Sequence, residues 1–278
     1  MNIFETIVNS VVAQNRDFSV LRPVIEKELL HHDIMNVMNL EGFLKRLTFI
    51  GGTCLRSCYN SERLSEDLDF TGGFDFSAND MNDLSQKICS ELSKKYKIPV
   101  SVTSPKKEIG NTETWKFKII TSPERSDLPA QKINIDISLL PSHERQVRIL
   151  KNNYNVDLGV DGVLLYAESL SEIFCDKIIA FARRPNRLKF RDLYDIHFLN
   201  TKNISLNKDL LSRKLEDRKI ATEEFWLQYK KRCTKLVPLQ SEFIKEMHRF
   251  LPVSAFTPTF KSELWWEYLK NTLQDFQP

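Results

Sequence analysis

Glycine, cysteine and long apolar runs are scarce in this sequence of 278 residues. The 5 cysteines form no C-x-x-C pair, and an odd number of scattered cysteines argues against a disulfide framework and a zinc site. No apolar run approaches the roughly 18 residues that a membrane-spanning helix needs. The N-terminus lacks the basic start and apolar core of a signal peptide, so we expect a cytoplasmic protein with no membrane partner.

The composition is that of an ordinary globular protein, with 41% hydrophobic and 28% charged residues. The length allows one large domain or two modest ones. A net charge of +3 is too small to indicate a partner by itself, so only the local distribution of charge is informative.

Periodicity divides the chain into a mixed half and a helical half. The first 45 residues read as helical; after them we predict strands over 47–50, 67–70, 114–120 and 132–140 and helices over 53–60 and 79–95. Helical periods then dominate, over 168–183, 188–199, 207–216, 221–234, 237–249 and 262–275. The sequence predicts an α+β fold, with a core domain of a small mixed sheet and helices over 1–160 and a mostly helical domain over 161–278.

Two of the 8 glycines stand together in Gly51-Gly52-Thr53, directly after the apolar run LTFI. Glycine lets the backbone approach a phosphate closely, and the N–H groups at a helix N-terminus favour anions. This stretch is therefore a candidate cradle for a triphosphate. A tight turn from strand to helix, with Thr53 as the helix cap, explains the same residues without chemistry.

Asp67 and Asp69 flank a leucine on a predicted strand, so that their side chains project to the same side. Two carboxylates so close favour a bridging cation, and Mg²⁺, or Mn²⁺ in its place, is the natural choice. Asp136, between two isoleucines of a later strand, offers a third ligand if the two strands are neighbours. An exposed sheet face is the alternative, because D-x-D often occurs by chance.

The order of these features resembles a known family. FIGGTCLRSCY followed by RLSEDLDF is similar to the nucleotidyltransferases of the AbiEii toxin family, within the DNA polymerase β-like superfamily, with threonine in place of the commoner serine. Upstream, EKELLHHDIMNVM resembles the helix that precedes this core. Downstream, ESLSEIFCDKIIAFARRPNRLKFRDLYDIHFL resembles the lysine motif and the R-D-L-Y-D motif of the family. The resemblance covers about residues 25 to 200.

The resemblance implies roles for individual residues. Asp67 and Asp69 match the metal-binding pair, and Asp136 matches the third acidic position. Lys177 matches the lysine that contacts the nucleotide phosphates, and Asp192, in R-D-L-Y-D, matches the other functional acid of the family. Asp195 is the second carboxylate of that motif.

Two further groups of residues are candidates for contact with phosphates. Arg63 and Ser65 flank the acidic pair and are candidate nucleotide contacts, although Ser65 suits a turn equally well. A basic cluster could neutralise phosphates of a nucleotide or an RNA end, or could be a solvated face. It consists of Arg183, Arg184, Arg187, Lys189 and Arg191.

These features imply a Mg²⁺-dependent enzyme that transfers an NMP from an NTP to an acceptor. The family resemblance implies that the acceptor is RNA, with the 3′ end of tRNA as one candidate. It also implies that the protein is the toxin of a toxin–antitoxin or abortive-infection system, with a cognate antitoxin. Two alternatives stay open: a metal-dependent nuclease, and a catalytically inactive RNA-binding or regulatory protein with the same fold.

Overall fold

The computed structural model describes residues 2–105, 110–185, 188–236, 238–256 and 258–276, with only the backbone described at residues 258 and 259. Its contacts divide the chain into two compact units. The first comprises Met1–Asn60 and Leu64–Ala167, and the second comprises Ser61–Arg63 and Glu168–Pro278. The domain boundary at residue 160 stays a prediction. Within the described residues, every helix is too short or too polar to traverse a lipid bilayer.

The first unit contains helices and one mixed sheet, as the α+β prediction required. Its helices are α1 (Ile3–Gln14), α2 (Arg22–Leu40), α3 (Gly51–Tyr59) and α4 (Ala78–Tyr96). Its strands are β1 (Thr48–Ile50), β2 (Leu68–Thr71), β3 (Val100–Thr103), β4 (Thr112–Ile119), β5 (Gln131–Ser138), β6 (Arg145–Ile149) and β7 (Leu164–Glu168). The strand order in the sheet is β3-β4-β5-β2-β1-β7-β6.

The centre of the sheet is formed by β5, β2 and β1. β2 pairs in parallel with β5 and antiparallel with β1. Along β5, Ile133, Ile135 and Ile137 are fully buried, while the residues between them are partly exposed. Because side chains alternate across a strand, β5 has one apolar face in the core and one polar face.

Three of the seven strands were not predicted. β3 and β6 lie at the two edges of the sheet, and β7 pairs in parallel with β1. Their residues are short mixtures of polar and apolar types, and all five positions of β6 are at least partly exposed. β3 alternates over only four residues, β6 is largely exposed and β7 does not alternate, so none of the three gives the signal of the longer strands.

The second unit is helical in its described part. Its helices are α5 (Leu170–Arg183), α6 (Phe190–Thr201), α7 (Lys208–Asp217), α8 (Thr222–Thr234), α9 (Gln240–Met247) and α10 (Glu263–Asp275). These six helices match the predicted ones, although α9 begins at Gln240, and residue 237, where we predicted its start, lies outside the described residues. α5 is the central helix, in contact with α6, α7 and α8.

Candidate active site

The predicted cradle lies where β1 runs directly into α3. The helix begins at Gly51, and the residue before it, Ile50, makes no side-chain capping hydrogen bond. The prediction that Thr53 caps this helix is therefore wrong. The first backbone N–H groups of a helix have no partner within the helix, so those of Gly51, Gly52 and Thr53 give this end of α3 its anion-attracting character.

Gly51 is held against one of the predicted metal ligands. Its φ of +76° lies in the left-handed region, and a β-carbon built at residue 51 would lie 2.8 Å from Asp69 Oδ2. Both the backbone conformation and the close carboxylate therefore require glycine at this position. The start of α3 and the carboxylate of Asp69 are thus immediate neighbours.

Asp69 of β2 and Asp136 of β5 lie opposite each other on neighbouring strands. They are register partners in the parallel pairing of β2 with β5, and both are partly exposed on the polar side of the sheet. Directly opposite residues on neighbouring strands project to the same face. Asp67 lies one residue before β2, and its Oδ1 accepts a hydrogen bond of 3.4 Å from the backbone N–H of Asn134.

The carboxylate pair fits a divalent cation in number and type of ligand. Among the described residues, no three His, Cys, Asp or Glu side chains are close enough to hold a metal ion by themselves. Mg²⁺ sites that act on nucleotides commonly use one or two carboxylates, with phosphate oxygens and water as the remaining ligands. Asp69 and Asp136, next to a helix N-terminus, supply that smaller set, and Asp67 lies two residues before Asp69.

Thr53 and Ser65 lie inside the first unit and hold the backbone in place. Their exposed fractions are 2% and 6%, and their hydroxyl oxygens are 2.7 Å apart. The Thr53 hydroxyl also hydrogen-bonds to the carbonyl of Asp67, which can only accept, so the Thr53 proton goes there. The hydroxyl of Thr53 thereby fastens the start of α3 to the segment that carries the acidic pair.

Side chains of α2 hold the same segment from another direction. Glu28 Oε1 accepts the backbone N–H of Ser65 at 3.0 Å, and Lys27 forms an ion pair of 2.9 Å with the carboxylate of Glu66. His31 Nε2 donates to the Glu66 carbonyl at 3.0 Å, which requires the tautomer with the proton on Nε2. The segment 65–67 is thus fixed at three consecutive residues before β2 begins.

The predicted lysine and the R-D-L-Y-D acids form an ionic chain in the second unit. Lys177 Nζ lies 3.1 Å from Asp192 Oδ1 and 2.7 Å from Asp195 Oδ2. Arg63 donates two hydrogen bonds of 2.8 Å to the carboxylate of Asp195, and Arg184 Nε donates to Asp192 Oδ2 at 2.7 Å. The order of charges is therefore Arg63, Asp195, Lys177, Asp192, Arg184, with each carboxylate between two cations.

The alternation of cations and carboxylates favours the ionised form of Asp192, Asp195 and Lys177. Burial alone would raise the pKa of Asp192, but the charges of Lys177 and Arg184 outweigh it and lower the pKa to about 2. Burial would also raise the pKa of Asp195, but the charges of Arg63 and Lys177 outweigh this effect, so the pKa of Asp195 is lowered. The same carboxylates raise the pKa of Lys177 against the effect of its burial.

A second buried charge cluster anchors α5, the helix that carries Lys177. Lys214 of α7 lies 3.0 Å from Glu168, 2.9 Å from Glu172 and 2.8 Å from Asp176, and Arg218 lies 2.8 Å from Asp176. Burial raises the pKa of Glu168 well above its ordinary value, assisted by the charge of Asp176. The charges of Lys214 and Arg218, by contrast, lower the pKa of Asp176 against the effect of its burial.

The structure thus sorts the predicted site residues into two groups. Gly51, Gly52, Thr53, Ser65, Asp67, Asp69 and Asp136 belong to the first unit, and Arg63, Lys177 and Asp192 belong to the second. Of the basic cluster, Arg187 lies outside the described residues.

Sequence reasoning named Asp195 as a motif residue but gave no supporting role to Asp195, Glu28 or His31. Asp195 stands three residues after Asp192 on a helix, a spacing that places both on one face and could have revealed their shared partner. Glu28 and His31 carried no comparable signal, because they hold the segment 65–67 through its backbone atoms, which lie far away in the sequence.

Comparison with known proteins identifies the family of this chain. The family model described as nucleotidyl transferase AbiEii toxin, type IV TA system, matches residues 33–278. The chain therefore belongs to the AbiEii nucleotidyltransferase toxin family of type IV toxin–antitoxin systems, and it is a nucleotidyltransferase. No curated protein matches its sequence.

The fold is shared with solved structures, among them MenT4 and JHP933. MenT4, a nucleotidyltransferase toxin from Mycobacterium tuberculosis H37Rv, has a TM-score of 0.57 and 16% identity, with 98% of this chain and 88% of that chain covered. JHP933 from Helicobacter pylori has a TM-score of 0.51 and 16% identity, with 91% of this chain and 93% of that chain covered.

Proposed function

We propose that this nucleotidyltransferase transfers an NMP from an NTP to an RNA acceptor in a reaction that depends on Mg²⁺. The observation that carries the proposal is the register pairing of Asp69 with Asp136, next to the N-terminus of α3. A carboxylate pair for a cation and N–H groups for phosphates are the two parts that nucleotidyl transfer needs from a protein.

The triphosphate would be bound by the start of α3. The backbone N–H groups of Gly51, Gly52 and Thr53 would face the phosphate oxygens, and the helix dipole would favour their negative charge. Thr53 would contribute its backbone only, because its hydroxyl is engaged with Asp67 and Ser65. Gly51 would keep the phosphates next to the carboxylate of Asp69, since no side chain separates them.

Asp69 and Asp136 would hold Mg²⁺, or Mn²⁺ in its place, with Asp67 as the third predicted carboxylate. When bound, the cation supplies positive charge for the reacting phosphate and for the departing pyrophosphate. A hydroxyl oxygen of the acceptor forms a bond to the α-phosphorus, the bond to the bridging oxygen breaks, and pyrophosphate leaves. Asp136 is our candidate for the group that takes up the proton of the acceptor hydroxyl.

For Lys177 we propose the phosphate contact that its motif implies. Of its three ammonium protons, Asp192 and Asp195 account for two, and the third can be donated to a phosphate oxygen. Asp192 would then orient the lysine. Arg63 and Ser65 are buried and engaged, so we propose that they support the site and do not contact the nucleotide.

Family membership supports the biological part of the proposal. We propose that the chain acts in the cytoplasm as the toxin of a toxin–antitoxin pair, with a cognate antitoxin as its partner and abortive infection as one context. RNA is the proposed acceptor, and the 3′ end of tRNA is the candidate to test first.

The test is incubation of the protein with each α-³²P-labelled NTP, MgCl₂ and total RNA. We expect label on an RNA band with wild type and none with Asp69→Asn. The matched control is Asp83→Asn, which removes an exposed carboxylate from α4 and should label RNA as wild type does.

Other outcomes would replace the proposal. Shortened RNA without label would identify a metal-dependent nuclease. Intact, unlabelled RNA together with a labelled protein band would make the acceptor a protein. Intact RNA that binds the chain, with no label on RNA or protein from any NTP, would indicate a catalytically inactive RNA-binding protein.

A further inference from the structure

The helical unit contains a groove that the proposed chemistry does not use. Two cavities of about 540 and 430 Å³ share Arg232 and Lys235 in their walls. Both residues lie at or just after the C-terminal end of α8, and α9 provides much of the wall of the larger cavity. We call the two cavities together the α8–α9 groove.

Basic side chains outnumber acidic ones in the groove. Four basic side chains line the larger cavity and five line the smaller one. Two of them are shared, so the groove has seven basic side chains and three carboxylates in its walls. The carboxylates belong to Glu224, Glu242 and Glu246. A concave surface with an excess of one charge concentrates the field of that charge and attracts ligands of the opposite sign.

Three lysines carry most of this uncompensated charge. Arg183 is paired with Glu224 at 2.5 Å, and Arg184 is engaged with Asp192. By contrast, Lys231, Lys235 and Lys245 are exposed and have no carboxylate within 4.0 Å in the part of the chain that the structure describes. Their ammonium groups can therefore bind an incoming anion without the loss of an existing ion pair.

The larger cavity also has an apolar part. Leu188 and Phe190, which are mostly buried, and Leu239 contribute to its wall beside the lysines. This combination of cations and apolar surface suits a nucleic-acid strand, whose phosphates and bases alternate. A protein partner is less well matched, because lysine is depleted in protein–protein interfaces.

We propose that the α8–α9 groove binds a single-stranded segment of RNA. Lys231, Lys235 and Lys245 contact its phosphates, and an unstacked base packs against Leu188 and Leu239. A double helix does not present an unstacked base to a cavity of this kind, whereas single-stranded RNA does. The inference rests on the proposed function only in one respect, which is that the bound strand is the acceptor.

The test measures binding of a fluorescein-labelled single-stranded RNA of about 12 nucleotides by fluorescence anisotropy at several salt concentrations. The groove variant is Lys231→Gln/Lys235→Gln/Lys245→Gln. The control variant, Lys208→Gln/Lys219→Gln/Lys230→Gln, loses the same charge at exposed positions of the second unit that line neither cavity. Thermal melting checks that both variants fold as wild type does.

We expect the groove variant to bind at least about tenfold more weakly at moderate salt, because three phosphate contacts are lost. The slope of log K against log salt concentration should decrease in magnitude by about 2, since each phosphate contact to a single strand contributes about 0.7. The control variant should stay close to wild type. Equal weakening in both variants, or no weakening in either, overturns the proposal.

A protein partner would give a different pattern. If the groove variant binds RNA normally but no longer binds poly-glutamate, which wild type and the control variant both bind, the groove takes an acidic polypeptide and the proposal is wrong.

Failure of the groove can be distinguished from failure of the proposed function. Groove-dependent RNA binding without label transfer to RNA would leave the groove intact and overturn RNA as the acceptor. Label transfer to RNA with normal binding by the groove variant would overturn the groove alone.

Discussion

Gly51 lies against Asp69 so closely that a β-carbon at residue 51 would be 2.8 Å from Asp69 Oδ2. This contact joins the start of α3 to the carboxylate pair of the sheet. The contact supports the proposal that the phosphate-binding and cation-binding parts form a single site.

Gly51→Ala should therefore abolish most of the activity. The methyl group would displace the Asp69 carboxylate, and a displacement of about 1 Å costs about a hundredfold in rate. Gly42→Ala is a matched control, because Gly42 has a φ of +77° but no atom within 4 Å of the added carbon. Both variants should lose about 1–2 kcal/mol of stability from left-handed backbone strain. Rates of NMP transfer and urea unfolding separate the two effects, and an active Gly51→Ala protein would contradict the role of the contact.

Asp69→Asn and Asp136→Asn should be strongly non-additive. If the two carboxylates hold the same cation, the first substitution already removes its site and the second adds little. Wild type should gain thermal stability from Mg²⁺ with a non-hydrolysable NTP, because a ligand that binds the folded state raises Tm. The single and double variants should lose that gain. A double variant whose loss of activity equals the product of the two single losses would show that the aspartates act separately.

His31→Leu should lower kcat about tenfold with little change in the KM for NTP. The substitution removes the donor to the Glu66 carbonyl and lets the segment 65–67 move, so that the carboxylates are less well placed. His31→Gln, which keeps an N–H donor, should restore part of the rate. Steady-state kinetics of the two variants provide the measurement. Equal rates for leucine and glutamine would show that only the volume of the residue matters.

Stability should fall in mild acid because of two adjacent buried histidines. Burial lowers the pKa of His31 to about 3 and that of His32 to about 4, below the ordinary 6.5. The unfolded chain takes up these protons first, so the stability is complete above pH 6.5 and is lost as the pH falls to about 4 for His32 and about 3 for His31. At pH 5 each histidine should cost about 2 kcal/mol.

The check is Tm against pH for wild type and His32→Leu. Because the variant lacks one of the two groups, its Tm should fall less steeply between pH 6.5 and 4.5, whatever its value at pH 7. Parallel curves would show that His32 is not the group responsible.

Asp195→Asn should be more destabilising than Asp192→Asn. Asp195 is fully buried between Arg63 and Lys177, and its neutralisation leaves two buried cations facing each other. Loss of one partner from a buried ion pair typically costs about 3–5 kcal/mol. Asp192 is paired with Lys177 and Arg184. In Asp192→Asn, Lys177 keeps Asp195 as its partner, and the Arg184 side chain is about a third exposed, so that water can solvate it. Free energies of unfolding in urea compare the two variants, and a smaller loss for Asp195→Asn would contradict the ordering.

Much of the fold could be predicted because periodicity is a local property of the chain. The six helices of the second unit and the four central strands of the sheet have clear periods, whereas β3, β6 and β7 are too short or too exposed to show one. The N-terminus of α3 was misplaced for a related reason. Thr53 resembles a cap in sequence, but its hydroxyl bonds to Asp67, a partner that no local pattern reveals.

Local patterns in the sequence predicted a tight turn at Gly51-Gly52 and a helical half after a mixed one. The position of Asp136 opposite Asp69, and that of Asp195 between Arg63 and Lys177, are visible only in the folded structure. Strand register and ion pairs join residues far apart in the chain, so they depend on how whole elements pack, which local periodicity does not encode.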